Sequence, residues 1–142
     1  MRVLIDANVI ADALLEGPER PQGDRANAQL ILEAVARRRI TGLITPPIFV
    51  FITHLVKPRR VSHRAQVEKA LEFLLDIMEW APVTPDHCRS ALTSTFKDVE
   101  DGIQFFACSR LDAIVTRDIR GFKEHVHVPV LTPAQFVTKH LK

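Results

Sequence analysis

Five short apolar runs punctuate this 142-residue chain: "VLI", "ITGLIT", "EWAPV", "DAIVT" and "VPVL". Four lead straight into a helix-start signal, Asn8 as a cap or the pairs Thr45-Pro46, Thr84-Pro85 and Thr132-Pro133. Proline suits the first helical turn because its missing N–H is not needed there. Between the runs lie helical periodicities. "VIADALLE" is a helix ended by Gly17, and "PERPQGD" reads as loop. Asp24 caps a helix to about Arg38, with Ala28, Ile31, Leu32 and Val35 on its apolar face. Ser62 opens another through Met78, with Val67, Ala70, Leu71, Leu74 and Leu75 inward, and a further one runs from Asp98 to about Arg110. The helix "PIFVFITHLV" is apolar nearly all round, which predicts deep packing within its own chain rather than an oligomer face. Strands alternating with helices predict an α/β fold with a central, mainly parallel sheet flanked by helices. The length and the lack of repeats or linkers predict one domain over residues 1–142.

Composition narrows the function classes. No apolar stretch approaches the length of a membrane span, and the apolar residues before Asp6 are too few for a secretory signal. Cys88 and Cys108 lack metal spacing and read as reduced cysteines of a cytoplasmic protein. The net charge of +2 demands no polyanion by itself, but the basic residues gather. Arg37, Arg38 and Arg39 form one group; Lys57, Arg59, Arg60 and Arg64, near His54 and His63, form another. Either could touch phosphate, although solvated helix ends are the commoner reading of such runs.

The acids gather too. "KDVEDGIQFFACSRLDAIVTRD" places Asp98, Glu100 and Asp101 at a helix start and Asp118 just beyond a strand. Asp6 ends the first strand. In a parallel sheet, residues that follow strands project from its carboxyl edge, where ligands bind. These acids are therefore expected to converge. Several ionised carboxylates in a small space need a counter-charge, or some take up protons. Oxygen-only donors favour Mg2+ or Mn2+ over zinc. Such ions stabilise charge on a phosphoryl group, so phosphodiester hydrolysis is the chemistry to expect, and a polyanionic substrate suits the basic clusters.

Plain structure accounts for part of this pattern. Asp98 is a good helix cap, and the helix dipole favours Glu100 and Asp101 by about 0.3–1 kcal/mol each. Asp118 can be a turn residue. Asp6 is harder to dismiss, since Asp is depleted in strands. Asp12, six residues into the first helix, is expected to face solvent, and Asp112 falls at the opposite end of the sheet. The scattered histidines, of which His125 and His127 alternate like a strand edge, carry no metal pattern, and no nucleophile elbow or phosphate-binding glycine loop is present.

With "VLIDANVIADALL", "DVEDGIQFFACS", "AIVTRDIRGF" and "VPVLTPAQF" in this order, the chain resembles PIN-domain proteins, such as VapC-like toxins of prokaryotic toxin–antitoxin pairs. The resemblance spans essentially the whole chain and implies a three-layer PIN-like fold. It also implies cleavage of RNA dependent on Mg2+ or Mn2+, with water as nucleophile. Carried over, Asp6, Asp101 and Asp118 are the catalytic, metal-coordinating acids, with Asp98 and Glu100 completing the shell. Asn8 and Thr116 support them, and Lys57, Arg59, Arg60, Arg64 and Arg117 are the candidates for RNA contact. The implied partners are an RNA substrate, an antitoxin protein that blocks the site and a second copy of the chain; no membrane is implied.

One departure matters. Family members usually carry a glutamate in the helix after the second strand, and "TPPIFVFITHLV" has no acid; the position falls near Phe51. Ala7, where threonine or serine is common, is a lesser departure. The incomplete set leaves open a PIN-like module that binds RNA or protein without catalysis. A phosphatase with an aspartyl nucleophile is disfavoured, because its second Asp would stand where this chain has Asn8.

Overall fold

Val3, Leu4 and Ile5 carry no polar side chain and are fully buried, which makes β1 (Arg2–Ile5) a strand covered on both faces. The computed structural model describes residues 1–15, 22–55 and 64–142. Within them β1 lies at the centre of a five-stranded sheet with β2 (Thr41–Ile44), β3 (Glu79–Trp80), β4 (Ala113–Val115) and β5 (Val130–Leu131). The order is β3-β2-β1-β4-β5, and every pairing is parallel.

Parallel strands need crossovers, and these supply the outer layers. The chain leaves β1 toward β2 through α1 (Ala7–Leu14) and α2 (Gln22–Ala36), then reaches β3 through α3 (Pro46–Leu55) and α4 (Arg64–Ile77). It returns across the sheet to β4 through α5 (Pro85–Thr93) and α6 (Val99–Ala107), and to β5 through α7 (Ile119–Lys123). Right-handed crossovers running in opposite directions along a sheet place their helices on opposite faces. Accordingly α1 packs on α2 and α3, and α5 on α6. The last helix, α8 (Pro133–Phe136), continues into a π-helical turn (Val137–Leu141) and packs on α2.

The proline starts behave as their chemistry requires. Thr84 and Thr132 cap α5 and α8 in reciprocal boxes with His87 and Gln135. Several sequence expectations need correction. The cap of α1 is Asp6 rather than Asn8, because the helix begins at Ala7, directly after Asp6, and the Asp6 carboxylate accepts the first free N–H. The helix after Asp98 stops at Ala107, short of Arg110, which adopts a left-handed φ of 56°. On α4, Leu74 is buried but Leu75 and Phe73 are exposed. The apolar helix α3 buries Ile48 and Ile52 while exposing Val50 and Phe51, so it is one-sided rather than enclosed. His125 lies in no strand; its ring stacks on Phe96 at 4.8 Å. Gly17 and Ser62 lie outside the described residues.

Far from the carboxyl edge, the Arg2 guanidinium grips Glu79 through both oxygens (2.9 and 2.7 Å), and Arg2 N donates to Asp112 Oδ2 at 2.7 Å. Asp112 thus sits at the opposite end of the sheet, as its place before β4 predicts. Cys88 and Cys108 are free thiols, and burial pushes the Cys108 thiol up to about 12. Among the described residues no helix is long and apolar enough to cross a membrane.

Gly42 lets β2 pass beneath α2. A Cβ there would lie 2.8 Å from Val35 Cγ2, 3.0 Å from Met78 Sδ and 3.1 Å from Ile5 Cδ1. Gly42→Ala is therefore expected to destabilise the fold by about 1–3 kcal/mol, measured by urea unfolding. A variant as stable as the parent would show that this layer is loosely packed.

Candidate functional site

β1 and β4 are neighbours, and the chain departs from them to opposite sides of the sheet. The carboxyl ends of such a pair form the crevice where ligands bind in open α/β sheets. Asp6 sits at its floor, 8% exposed, its N–H donating to Val115 O at 3.0 Å. Asp6 Oδ1 accepts from Ala7 N at 2.7 Å. Asp6 Oδ2 accepts from Thr116 Oγ1 at 2.6 Å and from Asn8 Nδ2 at 2.7 Å. Thr116 Oγ1 accepts in turn from Asp118 N at 2.9 Å, and Asn8 Oδ1 from Arg117 N at 3.2 Å. The two strand ends are thus sewn together through side chains, and the loop that carries Asp118 hangs from the same stitches.

The second set of acids arrives on α6. Asp98 caps it, Oδ1 accepting from Glu100 N at 2.9 Å, and the first turn presents Glu100 and Asp101. Asp118 caps α7 through Gly121 N at 3.2 Å. Gly121 marks where the two sets meet. A Cβ on it would lie 2.9 Å from Asp101 Oδ2 and 3.0 Å from Asp118 Oδ2, so at most the sum of those distances separates the two oxygens.

Electrostatics link the whole group. The Asp101 carboxyl is pushed up to about 7, first by burial and then by Asp98, Asp6, Asp118 and Glu100. Burial raises Asp6, against the lowering effect of the Thr116 and Ala7 hydrogen bonds, and Asp118 adds to the rise. Desolvation of its carboxyl, then Asp98 and Asp6, push Glu100 up, while a hydrogen bond from Gln104 opposes them. Burial and the charges of neighbouring acids thus act together on Asp101, Asp6 and Glu100.

Oxygen donors with unbalanced negative charge fit a hard divalent cation in kind. Among the described residues, no three His, Cys, Asp or Glu side chains already stand close enough to grip one ion together. Asp6, Asp101 and Asp118, with Asp98 or Glu100, are the residues that would hold such an ion. Gln104, which the sequence reading did not single out, sits one turn beyond Asp101, buried, with Oε1 lacking a hydrogen-bond partner. A buried amide oxygen left over beside an acidic crevice is a further oxygen of the type such an ion takes. A glutamine within the apolar stretch "GIQFFA" is the signal that could have found it.

Asp12, expected to face solvent, is fully buried (0% exposed), and Arg117 Nε lies 3.0 Å from its Oδ2. Arg117, expected among the RNA-facing basic residues, thus has its guanidinium against a carboxylate of the same chain. Lys57, Arg59 and Arg60 lie outside the described residues, and Arg64 is the first residue of α4. On α3, Phe49 stacks on Trp80 at 5.3 Å. Phe51, about 200° further round the helix, is 43% exposed. The α3 position near which the resemblance implies an acid is thus a solvent-facing aromatic.

A model of the PIN domain family matches residues 2–120. No curated protein matches the chain. Among solved structures, a chain of VapBC2 from Rickettsia felis, bound to a DNA fragment from their promoter, is similar with a TM-score of 0.64. The match covers 93% of this chain and 98% of that one at 14% identity, a likeness of fold.

The shift at Asp101 sets a pH dependence. The unfolded carboxyl releases its proton near 3.8, whereas the folded one holds it to about 7. The stability this group contributes is therefore complete below about 4 and lost as pH rises through about 7. Thermal melts of the metal-free protein across this window should show that loss, and Asp101→Asn should flatten it. Parallel curves for the two proteins would mean that Asp101 titrates normally.

Proposed function

The chain belongs to the PIN-domain family, and from that premise we propose that it is a metal-dependent endoribonuclease, the toxin of a toxin–antitoxin pair. The observation that carries this reading is the approach of the Asp101 and Asp118 carboxylates at Gly121, with the half-buried Asp101 carboxyl pushed up to about 7 by burial and by four other acids. A purely structural cap needs no such crowding, whereas a site built for a cation does. A bound Mg2+ or Mn2+ would neutralise these acids and stabilise the charge that develops on a phosphodiester during hydrolysis.

The chain's own residues supply position. Thr116 and Asn8 hold Asp6 Oδ2 so that the carboxylate keeps one orientation at the crevice floor. The caps on α6 and α7 fix the backbone from which Asp101 and Asp118 project. RNA contact through Lys57, Arg59, Arg60 and Arg64 belongs to the proposal, because clustered cations of this kind bind phosphates. So do a cytoplasmic location and a protein partner that covers the site. The similar solved chain comes from VapBC2, and α3 and α4 here expose Val50, Phe51, Phe73 and Leu75.

A second reading is favoured by one observation. Phe51 leaves α3 without the acid that relatives place there, which suits a module that binds RNA or protein without cutting. Calorimetric titration with Mn2+ separates the readings: the nuclease binds at millimolar concentration or tighter, and the module does not. Asp6→Asn should lower Mg2+-dependent RNA cleavage by about two orders of magnitude or more, since the lost charge stabilisation amounts to several kcal/mol. Unchanged cleavage by that variant would remove the nuclease reading.

A further inference from the structure

Asp12 was the acid least suited to any role by its sequence position, yet it is the most deeply buried carboxylate described. It lies on α1, one and a half turns beyond Asp6, and is fully enclosed. An ionised side chain held away from water needs a counter-charge and hydrogen bonds, or it exacts a large desolvation penalty. Arg117 provides the charge, its Nε 3.0 Å from Asp12 Oδ2. Arg117 stands between Thr116, which donates to Asp6 Oδ2, and Asp118, whose N–H returns to Thr116 Oγ1. Its own N–H donates to Asn8 Oδ1, and Asn8 Nδ2 donates to Asp6. One residue therefore ties the β4–α7 loop to α1 twice, by backbone at Asn8 and by guanidinium at Asp12. Asn8 and Asp12 are one turn apart on that helix, so the two ties share a face of it.

We propose that the Asp12–Arg117 ion pair is a strut that positions the Thr116–Asp118 loop, and with it the Asp118 carboxylate, over Asp6; both are positioning residues. The strut explains why an arginine that is still 40% exposed sets its guanidinium against a carboxylate of its own chain, and why an acid is tolerated in the buried face of α1. A general stabilising role would spread its effect through the fold. A strut concentrates it on the amides of Arg117 and Asp118, whose acceptors are Asn8 Oδ1 and Thr116 Oγ1.

Amide hydrogen exchange and Mn2+ calorimetry on the full chain test this, with Arg117→Met and the double variant Asp12→Asn/Arg117→Met. The single variant takes the Arg117 charge away from the buried Asp12, so its melting temperature should fall. The double variant removes the carboxylate as well and should melt closer to the parent than the single variant. In both, the amides of residues 117 and 118 should exchange about tenfold faster or more, while those of α2 in the double variant keep the parental rate. Mn2+ affinity should fall about tenfold in the double variant, in line with the loss of a residue that orients a ligand. Parental exchange at residues 117 and 118 in the double variant would overturn the strut, leaving the pair a stabilising contact only. The Mn2+ arm rests on the nuclease reading. If the parent protein binds no Mn2+, that reading fails alone, and the exchange rates still decide the strut.

Discussion

The hydrogen bond from Thr116 Oγ1 to Asp6 Oδ2, at 2.6 Å, joins the ends of the two central strands at the point where the sheet's connections diverge. Everything in the crevice refers to it. Asp6 is held at the floor, Thr116 becomes the acceptor for the Asp118 N–H, and the loop into α7 takes its direction from there. A strand end without this side-chain link would leave the Asp6 carboxylate free to turn to solvent. With it, a buried anion is retained against the cost of its desolvation, as the opposing effects on its ionisation record.

That retained charge shapes the rest of the site. Asp101 responds by holding its proton to about neutrality, and Gly121 gives way by carrying no side chain where the Asp101 and Asp118 oxygens approach. The result is an acidic crevice whose strain is electrostatic rather than steric. A divalent cation relieves such strain directly, and this physical fact connects the fold family to its chemistry. With no acid on α3, the charge is carried by α6, whose first turn holds Glu100 and Asp101 and whose next turn holds the buried Gln104.

Much of the fold was legible because the strands are short, apolar and punctuated. "VLI", "GLI" and "AIV" allow no surface for a polar face, so they imply a sheet covered on both sides, and Thr-Pro pairs mark helix starts through backbone chemistry alone. The direction of individual helical side chains was less legible. Leu75 and Phe51 look like core residues by type, but which face of a helix is covered depends on what lies across from it. Asp12 failed in the opposite sense: an acid in a helix reads as solvated until a cation from a distant segment is found beside it.

The sequence by itself determined that acids follow β1 and β4 and open α6, and that a parallel sheet sends the first two to one edge, because strand direction and crossover handedness are local properties of an L-chain. Only the tertiary structure decided the order β3-β2-β1-β4-β5, which makes β1 and β4 neighbours and so brings Thr116 onto Asp6. It alone decided that the Arg117 guanidinium meets the buried Asp12 and that Gln104 lies buried near Glu100. Pairings between residues a hundred positions apart have no periodicity to announce them. They exist because burial leaves a charge or an amide no water to meet, and the nearest partner is one the chain supplies from elsewhere.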